Sequence, residues 1–185
     1  MNILHIDSSI SGVTSVSRTL SKETVARLVS IHPYAKVSHR DLVLDPPSHF
    51  VGADDAISGQ TLLQEFLDAD VVVIGVAFYN LSIPSQLKAW IDRIIVSGKT
   101  FRYGEAGAEG LVGDKRVVIA LARGGKYRSE GSLAASEHAE TYLKSIFQFI
   151  GVIDIDVIVA EGISMGEGER EAATQSALNQ IANLS

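Results

Sequence analysis

Ser8-Ser9-Ile10-Ser11-Gly12-Val13-Thr14-Ser15-Val16-Ser17 directly follows the strand-like Asn2–Asp7, and Ala77-Phe78-Tyr79-Asn80-Leu81-Ser82-Ile83-Pro84 directly follows the apolar run 71–76. Each stretch leaves a strand at its carboxyl end and runs into a segment with helical periodicity. The chain continues outward in the same alternation. Helical spacing of Leu20, Thr24, Leu28 and Ile31 predicts a helix over 17–31. A strand near Lys36–Asp41, a loop over 45–59 and a helix near 61–67 follow. The run 71–76 is apolar at every position, as a strand covered on both faces requires.

A helix from about Pro84 carries Leu87, Trp90, Ile91, Ile94 and Ile95 at i, i+3, i+4, i+7, i+8. Ser82 is its expected cap. The glycine-punctuated segment 104–113 excludes a long helix. A strand over 116–122, a helix over 133–150 with Ala135, Ala139, Tyr142, Ile146 and Ile150 inward, a strand over 153–159 and a helix over 169–181 complete the pattern. Strands alternating with helices give a single α/β domain, 1–185, with a parallel sheet and right-handed crossovers. The expected fold is a flavodoxin-like five-stranded parallel sheet, order 2-1-3-4-5, with helices on both faces. In that arrangement the loops after strands 1 and 3 face each other at the switch point, where such folds bind FMN.

Composition narrows the classes further. The 185 residues are 46% hydrophobic and 21% charged, with a formal net charge of -6, so a basic nucleic-acid surface is not expected. No apolar run is long enough to span a bilayer. Cysteine is absent, which removes disulfides, thiolate metal sites and a cysteine nucleophile. A strand begins almost at Met1, leaving no room for a secretory leader. Together these features predict a cytoplasmic protein, with no metal site assigned.

The serine-rich loop suits a phosphate, because amides at a helix N-terminus point outward and carry partial positive charge. Ser15 and Ser17 add hydroxyls, though serines are also common as plain caps. Phe78, Tyr79, Asn80 and Leu81 offer apolar surface and an amide to a planar heterocycle. Arg123-Gly124-Gly125 forms a third loop at the same end of the sheet. Its glycines allow close backbone approach. Arg123 suits a site of developing negative charge, or else a solvated surface.

Several motifs lead elsewhere and fail on context. Gly162-Ile163-Ser164-Met165-Gly166 fits a nucleophile elbow, but no histidine follows it in the chain. His5, Asp7 and Ser9 resemble a triad, but alternate strand residues stand about 6.6 Å apart, too far for hydrogen bonds in a row. Ser97-Gly98-Lys99-Thr100 lacks the earlier glycine of a P-loop, and no G-x-G-x-x-G follows the first strand.

The ordered motifs resemble a known family, the FMN-dependent NADH-azoreductases, also described as NADH:quinone oxidoreductases. The resemblance rests on Ser8-Ser9-Ile10 with Ser15-x-Ser17, and on Tyr79-Asn80 with Ile83, Gln86, Leu87 and Lys88. It continues through Thr100-Phe101-Arg102-Tyr103, Glu109-Gly110-Leu111-Val112, Arg123-Gly124-Gly125, Phe149-Ile150-Gly151 and Ala160-Glu161-Gly162. It implies tightly bound, non-covalent FMN, with Ser9, Ser15, Val16 and Ser17 at its phosphate. Phe78, Tyr79, Asn80, Leu81, Ala122, Arg123, Gly124 and Gly125 would lie at its ring. Phe101, Tyr103 and Tyr127 would line the substrate pocket, with Phe101 and Tyr103 contributed across a homodimer interface.

Electrons from NADH or NADPH would pass through FMN to quinones or azo compounds in a ping-pong sequence, with no side chain assigned as acid or base. Three positions depart from the family pattern. Ala122 stands where serine is usual, Phe78 where methionine is commoner, and segment 45–59 is shorter. The alternative reading is a flavodoxin-like electron carrier without its own turnover. Such carriers are strongly acidic, whereas -6 on 185 residues is modest, and this chain lacks their threonine-rich phosphate loop.

Overall fold

The computed structural model describes residues 1–52, 56–105, 107–127 and 133–185. Five parallel strands form the main sheet: β1 (Asn2–Asp7), β2 (Lys36–Asp41), β3 (Val71–Ala77), β6 (Arg116–Arg123) and β7 (Asp154–Glu161). A hairpin of β4 (Phe101–Gly104) and β5 (Gly107–Gly110) stands apart as a second, two-stranded sheet. The main order is β2-β1-β3-β6-β7, which is 2-1-3-4-5 when its strands are counted along the chain. Every residue of the central β3 is buried, and β2 lies at one edge with most of its residues exposed.

The helices are α1 (Val16–Ile31), α2 (Ala56–Asp68), α3 (Ser85–Ile94), α4 (Glu140–Phe149) and α5 (Glu167–Ala182). On one face of the sheet, Leu20 and Leu28 of α1 and Ala177 and Ile181 of α5 close over Ile3, Val73, Val118 and Ala120. On the other, Phe66, Leu87, Trp90, Ile94, Leu143 and Phe147 cover Leu4, Ile74, Ile119 and Leu121. Alternate strand residues thus feed two separate cores, the reason these strands read as continuous apolar runs.

The stripe of α3 packs as its spacing implies, with Leu87, Trp90, Ile91 and Ile94 buried and Ile95 half-buried just past the helix. Pro84, not Ser82, occupies its N-cap. The segment expected as one helix over 133–150 divides instead. A short 3-10 turn at Ala134–Ser136 comes first, and α4 begins only at Glu140. The Glu137 carboxylate causes the restart: it accepts from the amides of Ala139 and Glu140 at 2.9 and 2.8 Å, satisfying orphan donors of the new helix. The shifted start also rotates the inward face. Ala139, Leu143, Phe147 and Ile150 are buried, while Ala135 is exposed and Tyr142 and Ile146 are half-buried.

Of segment 104–113, the described residues 104–105 and 107–113 belong to the β4–β5 hairpin and its exit, and residue 106 lies outside the described residues. Gly110 lies so close to Ile150 and Gly151 that a Cβ would collide with their backbone. This contact docks the hairpin at the C-terminal end of α4, where the Val112 amide also donates to the Ile150 carbonyl.

Candidate functional site

The loops leaving β1, β3 and β6 converge on a cavity of about 520 Å³ at the switch point. Ser9, Ser15, Val16, Ser17, Phe78, Tyr79, Ala122 and Gly124 line it, together with Ser11, Thr14, Ala77, Ile163, Ser164 and Arg170. Ser9, Ser15 and Ser17 are buried at its serine-rich wall. Ser15 caps α1, its Oγ accepting from the Arg18 amide at 3.3 Å and standing 3.1 Å from the Ser17 hydroxyl. Val16 and Ser17 open the helix, so their amides have no intrahelical acceptor and are available to an anion.

The two deciding loops touch directly. Tyr79 Oη lies 3.2 Å from Ser9 Oγ and accepts from the Ile10 amide at 3.2 Å. Tyr79 is placed by a tight turn in which Tyr79 and Ser82 exchange two backbone hydrogen bonds of 3.0 Å. Its central residues, Asn80 and Leu81, have φ of 48° and 70°. Asparagine tolerates that region, whereas leucine there costs about 1–2 kcal/mol. The strained turn is held from outside by the His138 amide, which donates to the Leu81 carbonyl at 3.1 Å.

Arg18 supports the same loop from behind. Its Nε and Nη2 donate to the Ser9 carbonyl at 3.0 and 2.8 Å, and Nη1 and Nη2 bind Asp41 at 2.6 and 2.8 Å. This guanidinium, with help from the Val43 amide, holds the Asp41 carboxyl down to about 2.

Arg123 departs from both of its sequence readings. Its side chain is fully buried and meets Glu137, Glu140 and Glu161 at 3.1, 2.9 and 2.8 Å. It also lies 5.9 Å from the centre of the Phe78 ring. The guanidinium therefore neutralises three carboxylates behind the loop and does not line the cavity. Its carbonyl and that of Gly124 accept from Ile163 and Ser164, and this pairing brings the loop after β7 to the cavity rim. Asn80, Leu81 and Gly125 likewise do not line the cavity.

Tyr127 stacks on Phe78 at 4.7 Å, beside the cavity. Phe101 and Tyr103 do not join it. They sit on the hairpin between the C-terminal end of α3 and the start of β6, the far end of the sheet, where Phe101 packs on Phe149 at 4.8 Å. Tyr103 is exposed.

Ser11, Thr14, Ile163, Ser164 and Arg170 line the cavity without a sequence motif that marks them for this site. Arg170 is the notable addition, a cation from the first turns of α5 whose Nη2 donates to the Thr14 carbonyl at 2.6 Å. Nothing local marks it, because contact depends on how α5 packs across the sheet.

His5 and Asp7 point to one side of β1 and approach more closely than the strand rise implies, 3.5 Å between Nε2 and Oδ2. Ser9 is not their partner. Ser21 Oγ donates to Asp7 Oδ1 at 2.8 Å and lies 3.0 Å from His5 Nε2, and His39 Nε2 is 3.0 Å from Asp7 Oδ2. Burial pushes the Asp7 carboxyl up, but His5, Ser21 and His39 outweigh it and leave its pKa below the ordinary value. A Cβ on Gly75 would stand 2.6 Å from Asp7 Oδ1 and 2.8 Å from Ser21 Oγ, so glycine makes room for this cluster inside the sheet.

No helix among the described residues is long and apolar enough to cross a membrane. The family described as having a flavodoxin-like fold matches residues 1–184. A protein of Methylorubrum populi named FMN-dependent NADH:quinone oxidoreductase is 48% identical, over all of this chain and 98% of its own length. That alignment spans 200 positions against 185 residues here, so at least 15 of them have no residue in this chain. A solved azoreductase from Bacillus anthracis str. Sterne is 30% identical with a TM-score of 0.91, covering 98% of this chain and 97% of that one. A second solved chain from Bacillus anthracis str. Ames Ancestor, described as an FMN-dependent NADH-azoreductase in complex with FMN, has a TM-score of 0.88. It is 22% identical, covers 98% of this chain and 95% of its own, and shares the fold. The chain belongs to the flavodoxin-like family of FMN-dependent NADH:quinone oxidoreductases, which includes the azoreductases.

Proposed function

We propose that this protein binds FMN in the switch-point cavity and uses it to pass two electrons from NADH or NADPH to quinones or azo compounds. The observation that carries the reading is the convergence of three loops on one cavity, with buried serines at one end and Phe78, Ala122 and Gly124 at the other. The residues fit the cofactor. Ser9, Ser15, Ser17 and the amides of Val16 and Ser17 suit a phosphate, and Arg170 adds a cation beside them. Phe78, Tyr79 and the Ala122–Gly125 backbone suit a flat heterocycle of mixed polarity.

FMN, when bound, supplies the two-electron chemistry itself. The chain binds and orients it, keeps water from one side of the pocket with Phe78 and Tyr127, and leaves the other open to donor and acceptor in turn. Shared use of one pocket makes the kinetics ping-pong. Phe101 and Tyr103, remote within one chain, would complete the substrate pocket from a second copy in a homodimer. A cysteine-free chain suits the reducing cytoplasm.

The test is an absorbance spectrum of the purified protein with FMN, before and after NADH and then a simple quinone. Flavin bands that bleach with NADH and recover with quinone are expected. Bands that NADH leaves unchanged would instead identify an electron carrier.

A further inference from the structure

The β1–β2 edge carries a second constellation, beside a cleft that shares Ser9 with the switch-point cavity. His5 and His39 are cross-strand neighbours in the parallel ladder, and their rings lie 4.6 Å apart. Asp7 stands one alternate position further along β1. One ring nitrogen each of His5 and His39 and an Asp7 carboxylate oxygen all lie within 4.8 Å of one another. α1 covers β1 but not the outer strand, so these groups face an open cleft of about 800 Å³ that Lys22, Val43 and Leu44 help to line.

We propose that His5, Asp7 and His39 form a binding site for a divalent first-row transition-metal ion, with Zn2+ as the best-fitting probe. Two imidazoles and one carboxylate are a donor set that such ions favour over Mg2+ or Ca2+. Zinc–ligand bonds of about 2.0–2.2 Å place tetrahedral ligands about 3.3–3.5 Å apart. The Asp7 oxygen stands 3.0 Å from His39 Nε2 and 3.5 Å from His5 Nε2, which brackets that length on two of the three edges.

The surroundings match a metal centre as well. Ser21 Oγ donates to Asp7 Oδ1, which orients the carboxylate and leaves Oδ2 directed at the two histidines, and the 3.0 Å contact of His5 Nε2 with Ser21 Oγ would give way to the ion with loss of the Nε2 proton. Of the two cations that line the cleft, Lys22 and Arg18, Arg18 places Nη1 3.7 Å from Asp7 Oδ2. Its donors are already directed at Asp41 and the Ser9 carbonyl, so it does not occupy the position between the imidazoles. Three protein ligands leave a coordination position open toward the cleft for water. Because Arg18 joins this cluster to Ser9, a bound ion would also stiffen the start of the serine loop.

The experiment is calorimetric titration of the chelator-treated, FMN-loaded protein with ZnCl2, paired with CoCl2 difference spectra at wavelengths beyond flavin absorption. His39→Ala removes the half-exposed ligand with little risk to folding. His39→Cys replaces it with a thiolate in a chain that has no other cysteine. One equivalent of Zn2+ is expected in the parent protein, bound at least about tenfold more weakly by His39→Ala. His39→Cys should recover binding and intensify the cobalt d–d bands in that window. Absence of stoichiometric Zn2+ binding in the parent protein would overturn the proposal. Equal affinity in the parent and His39→Ala would do the same, assigning the ion to exposed groups such as His32 or His49.

Discussion

Tyr79 Oη stands 3.2 Å from Ser9 Oγ and ties the loop after β3 to the loop after β1 across the mouth of the switch point. The same oxygen accepts from the Ile10 amide, so one hydroxyl orders both walls of the cavity. Tyr79→Phe keeps the ring and removes both contacts. Each neutral hydrogen bond contributes about 0.5–1.5 kcal/mol, so losing both should weaken FMN by roughly 5- to 100-fold and lower the melting temperature by a few degrees. Fluorescence titration of FMN into apoprotein measures this directly.

Arg170 is the cation that lines the cavity beside its serine-rich wall. If it meets a dianionic phosphate there, Arg170→Ala should weaken FMN about tenfold or more, since hydrogen bonds to charged groups contribute about 1.5–3 kcal/mol. The loss should shrink at high salt, and riboflavin, which lacks the phosphate, should bind both proteins alike. Comparative titrations at two salt concentrations check both expectations.

Long-range partners explain what the sequence could and could not disclose here. β3 was legible because a strand covered on both faces leaves an unbroken apolar run, and the two loops followed from its position. The division before α4 is not legible because Ala135, Ala139, Tyr142, Ile146 and Ile150 keep a helical spacing across it. The Glu137 cap that restarts the helix depends on its side chain folding over two amides. Arg123 beside two glycines resembles a surface loop residue. Its partners Glu137, Glu140 and Glu161 lie 14 to 38 positions later and meet it only once β6, α4 and β7 assemble. Ile163 and Ser164 reach the cavity through pairing with Arg123 and Gly124, a contact no local pattern encodes.

Arg123 should matter for stability more than for chemistry. Arg123→Met fills similar volume but leaves three carboxylates around an apolar side chain. Removing one side of a buried ion cluster costs about 3–5 kcal/mol at neutral pH. Burial raises the Glu137 carboxyl, but amides of α4 and Arg123 draw it below its ordinary value of 4.5. Its contribution is thus present above that value and lost as pH falls through the lowered one. The stability gap between parent and variant should narrow below about pH 4.5, as urea midpoints across pH will show.

Asp41 follows the same sign over a lower range. Its folded value of about 2 lies below the ordinary 3.8, so its pairing with Arg18 stabilises the fold above pH 3.8 and fades toward pH 2. Asp41→Asn should cost about 1–2 kcal/mol at pH 7, and the cost should close between those two values. Since Arg18 also holds the Ser9 carbonyl, the variant should release FMN faster at neutral pH.

The most direct test of the FMN site is Ser15→Asp. Aspartate is a good helix cap and favours the positive end of α1, so the fold should be kept or slightly stabilised. Its carboxylate, however, would stand where the cofactor's phosphate is placed. FMN binding should fall by about a hundredfold or more, while riboflavin binding changes little. An unchanged FMN affinity in Ser15→Asp would contradict the account and move the cofactor out of the switch-point cavity.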